Sequence, residues 1–138
     1  MIFSGERMTR AQALHLNPAH WAYVGDAVFD LYVITHIVTT TDYPVGQMHR
    51  QAVRIVNCKT QAEALDRLEP LLTDEELGIV RRRRNAKGHD APRNSSPEQY
   101  ARATSLEALV GFLYLTGQND RMLTLIQMGV EKNEQQER

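Results

Sequence analysis

Two stretches of this chain are apolar on nearly every side of a helix, yet each carries a carboxylic acid that such a setting penalises. Residues 21–34 read Trp-Ala-Tyr-Val-Gly-Asp-Ala-Val-Phe-Asp-Leu-Tyr-Val-Ile, with Asp26 directly after Gly25. Residues 105–115 read Ser-Leu-Glu-Ala-Leu-Val-Gly-Phe-Leu-Tyr-Leu, with Glu107 as the acid and Gly111 one turn later. A helix that is apolar all round is expected to cross an interior, and an ionised carboxylate there must be paired or must bind a cation. Two acids on two interior helices therefore predict one shared site.

Length and charge narrow the setting. A chain of 138 residues is one domain's worth, so we expect a single domain over 1–138, with its core over about 16–133 and a polar tail at 131–138. The net charge of −1 gives no global basic field, so any nucleic-acid surface must arise from local clustering. Cys58 is the one cysteine, which excludes an internal disulfide and a multi-thiolate metal site and fits a reducing compartment. No apolar run reaches the roughly 20 residues of a membrane span, and no leader pattern opens the chain. The expected setting is cytoplasmic, without a membrane.

Helical punctuation recurs along the chain, and no strand alternation or repeat interrupts it. Residues 9–14 predict a short opening helix that packs Ala11 and Leu14. Asn17-Pro18 is a cap followed by proline at the first helical position, and the apolar pattern then runs to about Val38. The cluster Thr39-Thr40-Thr41-Asp42 is expected to close that helix, and Pro44 to open the next, which runs to about Val56 with Gln47, Arg50, Gln51 and Arg54 on its wet side. Asn57 reads as a break before a helix over 62–72, whose end Pro70 disturbs. Thr73 and Glu76 have capping-box spacing, and Ser96-Pro97-Glu98-Gln99 is a second start signal. Residues 88–95 read as a loop, Gly117 as a stop, and Asp120 as the cap of a last helix. The fold class is all-α.

On a helix, Asp26 is flanked by Ala22, Tyr23, Phe29 and Asp30, and Glu107 by Ala103, Thr104, Val110 and Gly111. Gly25 and Gly111 allow two helices to approach closely, which brings the carboxylates toward each other. Each acid alone is also compatible with a bond to an arginine or a helix cap. Taken together, a pair of hard oxygen donors suits Mg²⁺, or Mn²⁺, held by one or two carboxylates plus substrate phosphates. Such an ion supplies a water of lowered pKa and neutralises phosphoryl charge, which is phosphodiester chemistry. Asp30 is a further ligand candidate, or else faces solvent or a dimer partner. The five histidines show no zinc-ligand spacing, and Cys58 has no local nucleophile signature.

The second constellation is basic. Arg81, Arg82, Arg83, Arg84 and Lys87 sweep about two helical turns, and Arg93 and Arg102 extend the same surface as a phosphate track. An ordinary solvated helix end is the competing reading. No aromatic-rich stretch accompanies the cluster, so backbone and shape recognition fit better than base stacking.

Three motifs in order, Tyr23-Val24-Gly25-Asp26-Ala27-Val28, Arg84-Asn85-Ala86-Lys87 and Ser105-Leu106-Glu107-Ala108-Leu109-Val110-Gly111, resemble the ribonuclease III catalytic domain and more closely its mini branch, over about residues 16–117. The resemblance implies an all-helical endonuclease domain that works as a homodimer. Each subunit would cut one strand of double-stranded RNA with Mg²⁺, leaving 5′-phosphate and 3′-hydroxyl ends, with 23S ribosomal RNA precursor as substrate. By the same resemblance Asp26 and Glu107 are the catalytic, metal-binding acids. Ala19, Ala22 and Thr104 stand where the full-length pattern has further acids. We expect no separate double-stranded-RNA-binding domain after residue 117, so that residues 81–87 and the loop to Asn94 grip the duplex. Gly88-His89-Asp90-Ala91-Pro92 departs from the Ser/Thr-rich loop of the mini branch. The rival expectations are a non-catalytic helical RNA-binding or ribosome-assembly factor, and a purely structural helical dimer.

Overall fold

The structure, a computed structural model, describes residues 8–86 and 96–136, with side-chain surroundings through residue 131. Seven helices follow in order among these residues: α1 (Arg10–Leu14), α2 (Pro18–Thr40), α3 (Val45–Ile55), α4 (Cys58–Leu68), α5 (Asp74–Asn85), α6 (Pro97–Leu115) and α7 (Asn119–Gln136). A 3₁₀ turn, Glu69–Leu71, follows α4. No strand occurs among the described residues, so the all-α expectation holds.

Local chemistry sets most boundaries. The Thr9 hydroxyl accepts from the Gln12 N–H at 3.1 Å and the Gln12 side chain accepts from the Thr9 N–H at 2.9 Å, which closes a capping box on α1. Asn17 Oδ1 accepts from the Ala19 N–H at 2.9 Å to start α2. That helix outruns the expected stop near residue 38 by two residues, Thr39 and Thr40, whose hydroxyls turn back to donate to the carbonyls of Thr35 and His36 instead of breaking the helix. Pro44 precedes α3 rather than beginning it. The break falls at Asn57 as expected, but as a cap that starts α4 at Cys58 rather than at 62: its Oδ1 accepts from the Thr60 N–H at 3.0 Å while Thr60 Oγ1 accepts from the Asn57 N–H at 3.0 Å. Both expected start signals, Thr73 for α5 and Ser96 for α6, cap as predicted. Gly117 takes a positive φ of 74° after α6, and the Gln118 N–H reaches back to the Leu113 carbonyl at 2.9 Å. Asp120 lies inside the first turn of α7 rather than capping it.

The core gathers on α6, where Ala103, Leu106, Ala108, Leu109, Val110, Phe112 and Leu113 are all buried. Helices α2, α4, α5 and α7 pack around it, and one cluster of buried apolar side chains runs from Ala13 in α1 to Val130 in α7. Trp21 is fully buried, meets Phe112 edge-on at 5.5 Å, and donates its indole N–H to the Ala13 carbonyl at 2.8 Å. Ala13 is thus the anchoring residue of α1, while Ala11 is exposed. Arg121 of α7 forks onto buried Glu76 of α5 with two 2.9 Å hydrogen bonds. Burial pushes Glu76 up, but the bonds from Arg121 and Thr73 outweigh it and hold the carboxyl below its ordinary range.

Candidate active site

The two acid-bearing helices meet at their glycines. A Cβ at Gly25 would lie 1.7 Å from the Glu107 carbonyl oxygen, and one at Gly111 would lie 1.8 Å from the Trp21 carbonyl oxygen. Each backbone therefore sits in the space that a side chain of the other helix would need. Asp26 follows one glycine, and Glu107 supplies the carbonyl that touches it, so backbone contact forces the two carboxyl groups together. They line one cleft of roughly 450 Å³, with Asp30, Arg83 and Tyr100 also on its walls.

Electrostatics at this crossing are strained. Burial pushes the Glu107 carboxyl up to about 9, helped by a hydrogen bond to Asp26 and the negative charges of Asp26 and Asp30, with Arg83 opposing. Burial beside a second acid thus favours the protonated form of Glu107. Burial, then the charge of Asp26, also raises Asp30. One sequence expectation needs correction: only Glu107 is partly buried, whereas Asp26 is exposed at the cleft mouth. The cost of the pair falls on Glu107, because α6 lies inside the bundle and this flank of α2 does not.

A larger groove of roughly 600 Å³ lies on the opposite flank of α2, against α7, lined by Leu31, Tyr32, His36, Met122, Leu123 and their neighbours. It has no facing acid pair and is mostly apolar, so the chemistry belongs to the smaller cleft.

Comparison with known proteins decides the family. Residues 19–118 match the Ribonuclease III domain. The Mini-ribonuclease 3 of Symbiobacterium thermophilum is 42% identical over 124 residues, which span 90% of this chain and 95% of that one. That of Thermoanaerobacter sp. is 40% identical over 126 residues, 91% of this chain and 89% of the relative. This chain belongs to the mini-ribonuclease III family. By membership it is an endoribonuclease of the ribonuclease III type, a hydrolase. A crystal structure of a Fusobacterium nucleatum protein, 22% identical, superposes with a TM-score of 0.79 over 91% of this chain and 98% of that one, which shows the shared fold.

Within this mini-ribonuclease III fold, Ala19, Ala22 and Thr104 all line the acid cleft, so these three wall positions carry no carboxylate. The arginine run behaves differently from the single track expected of it. Arg81 and Arg84 are exposed. Arg82 lies 4.8 Å over the Trp21 ring and donates to the Leu14 carbonyl at 3.0 Å, which ties it to α1 and α2. Arg83 is 5% exposed and faces the acids. Arg102 bonds Asp66 and Glu69, so it clamps α6 to the end of α4 instead of extending a basic surface. Lys87, Arg93 and the 88–95 loop lie outside the described residues.

The inward turn of Arg83 was readable in principle. Glu76, Ile79, Val80 and Arg83 are the buried residues of α5, at helical spacing, so Arg83 continues the inner stripe that Ile79 and Val80 begin. Tyr100, Asn57 and Gln61 also reach the cleft, and no spacing rule singles them out, because one arrives from α6 and the other two from the cap and first turn of α4.

Proposed function

We propose that this mini-ribonuclease III family member is a metal-dependent endoribonuclease that cuts double-stranded RNA, with Asp26 and Glu107 as catalytic and metal-binding residues. The meeting of the two carboxyl groups at the Gly25–Gly111 crossing carries the reading. A carboxyl whose protonated form is favoured beside a second carboxyl would exchange that proton for a hard cation, and the oxygen-only donor pair fits Mg²⁺, with Mn²⁺ as a substitute. Among the described residues no three or more His, Cys, Asp or Glu side chains form a cage for an ion, so water and substrate oxygens would complete the coordination. When bound, the ion supplies Lewis acidity toward the scissile phosphate and lowers the pKa of a water. Asp26, at the cleft mouth, would hold the ion on its substrate side, and Glu107, behind it, would hold the inner side as a carboxylate. Hydrolysis of the P–O3′ bond leaves a 5′-phosphate and a 3′-hydroxyl.

Arg81 and Arg84, with Lys87 and Arg93, are assigned to the RNA backbone, Arg82 to the tie between α1 and α2 and Arg83 to the cleft itself. The chain is read as a single catalytic domain that acts in the cytoplasm as a homodimer on 23S ribosomal RNA precursor. Support for the dimer comes from α2, whose Tyr23, Leu31, Ile34 and Val38 are 80%, 46%, 51% and 54% exposed along one stripe beside the cleft. No helix of the described residues is long and apolar enough to cross a membrane.

The test is cleavage of a perfect RNA duplex with Mg²⁺ and with EDTA. Cutting that requires the metal and leaves 5′-phosphate ends supports the reading. Duplex binding that survives EDTA, with no cutting in Mg²⁺, would identify a non-catalytic RNA-binding or assembly factor instead.

A further inference from the structure

Arg83 is a charged side chain in an uncommon place. It is 5% exposed, and among the described residues it is the only cation on the walls of the acid cleft. Three carboxyl groups share those walls, those of Asp26, Asp30 and Glu107. Other arginines pair with acids that have no part in the cleft: Arg10 with Glu75, Arg102 with Asp66 and Glu69, and Arg121 with Glu76. Burying a guanidinium is costly unless opposite charge compensates it. The charge that meets Arg83 includes an acid assigned to the ion, since its field favours the carboxylate form of Glu107.

The charges of the cleft balance around one ion. Three carboxylates against one guanidinium leave two negative charges, which a single divalent cation neutralises. A second ion would add its charge beside a resident guanidinium and would need oxygen donors of its own. The walls do not supply them: Ala19, Ala22 and Thr104 bring no carboxylate, and among the described residues no three or more His, Cys, Asp or Glu are placed to hold an ion. Cutting a phosphodiester still calls for more positive charge than one ion provides. An arginine can supply it as a metal does, through fixed donors that neutralise the phosphoryl oxygens.

We propose that Arg83 takes the place of a second metal ion in the acid cleft: each subunit loads one divalent cation, and the guanidinium neutralises phosphoryl charge beside it. This inference rests on the metal-dependent reading above. It commits Arg83 to two opposed effects. Its positive charge repels the ion and so lowers metal affinity, yet it stabilises the charge that builds on the phosphate during cutting. A residue that merely held the cleft wall in place would not couple these effects, because its loss would loosen the acids and weaken the ion.

The experiment titrates the full-length protein with Mn²⁺ in the absence of RNA, following free Mn²⁺ by electron paramagnetic resonance. Wild type should bind one Mn²⁺ per subunit in the cleft, and that binding should vanish in Asp26→Asn combined with Glu107→Gln. Arg83→Gln and Arg83→Met should each bind Mn²⁺ about fivefold or more tightly, as removal of a unit charge beside a divalent ion requires. Duplex cleavage by these variants at saturating Mn²⁺ should fall at least about tenfold. Arg83→Lys keeps the charge and should hold Mn²⁺ affinity within about twofold of wild type. A circular-dichroism melt checks folding; should both neutral variants fail to fold, the wild-type stoichiometry and the lysine variant decide. Two cleft ions per wild-type subunit overturn the inference, as do folded neutral variants whose Mn²⁺ affinity is unchanged or weaker or whose cleavage matches wild type, and these results leave the nuclease reading intact. A wild type that binds no Mn²⁺ and cuts no duplex overturns both.

Discussion

Helices α2 and α6 are alike in sequence and unlike in place. Both are apolar on every side, both carry an acid beside a glycine, and both present a glycine to the other at the crossing. Yet α6 is covered all round, with Ala103 through Leu106 and Ala108 through Tyr114 buried, whereas α2 leaves Tyr23, Leu31, Ile34 and Val38 in solvent. All-round apolarity has two different causes here. For α6 it reflects neighbours within the chain, namely α2, α4, α5 and α7. For α2 it covers three flanks: one against α6, one along the apolar groove shared with α7, and a stripe that stays exposed among the described residues. On the dimer proposed above, a second copy of the chain covers that stripe.

The strongest way to break this comparison is to force the helices apart. Gly111→Ala places a methyl group where the Trp21 carbonyl lies, so the two backbones must separate by more than an ångström. We expect a loss of about 3 kcal/mol or more in urea unfolding, at the upper end for overpacking, with loss of activity even where folding survives. A Gly111→Ala protein of wild-type stability would mean that the crossing is looser than described.

The uncovered stripe gives the next effect. Ile34→Asp combined with Tyr23→Asp removes apolar surface and adds charge where the structure shows solvent, so the isolated subunit should keep its fold. Sedimentation should show the wild type as a dimer and the variant as a monomer. If both sediment as monomers, the apolarity of α2 needs another cause.

A smaller effect separates the acids themselves. With its carboxyl raised from 4.5 to about 9, Glu107 holds a proton in the folded state that the unfolded chain has already released over that interval. The folded state then binds more protons, so metal-free stability should fall as pH rises between those two values. Glu107→Gln should flatten that slope, and saturating Mg²⁺ should flatten it as well by displacing the proton. Thermal melts across pH 5 to 9, with and without the metal, check the sign; stability that rises over this range would contradict it.

Much of the fold was legible because its boundaries are written in side chains. Thr9, Asn17, Thr73 and Ser96 each cap the helix they precede, and Gly117 takes the positive φ that only a residue without Cβ adopts easily. The break at Asn57 was legible, but the start of α4 at Cys58 was not, because Asn-Cys-Lys-Thr is a capping box that uses threonine in place of the usual Glu or Gln. The acid pair was legible for a similar reason: Gly25 and Gly111 announce close approach, and each sits within one turn of its acid or directly before it. The exposure of Asp26 was not, since hydropathy cannot tell an interior helix from one that keeps an apolar flank exposed. Nor could charge counting separate Arg83, turned inward on the stripe of Ile79 and Val80, from Arg81 and Arg84 in solvent. A run of arginines has a composition, but only the helix gives it faces.

The central claim is that Asp26 and Glu107 form one metal-loading site for cutting RNA, and the most direct measurement is duplex cleavage by Asp26→Asn in Mg²⁺. The substitution removes one charge at an exposed position and keeps the shape, so the fold and duplex binding should persist. Turnover should fall about a thousandfold, equivalent to about 4 kcal/mol of lost transition-state stabilisation. A folded, RNA-binding Asp26→Asn protein that cuts at near wild-type rate would contradict the account.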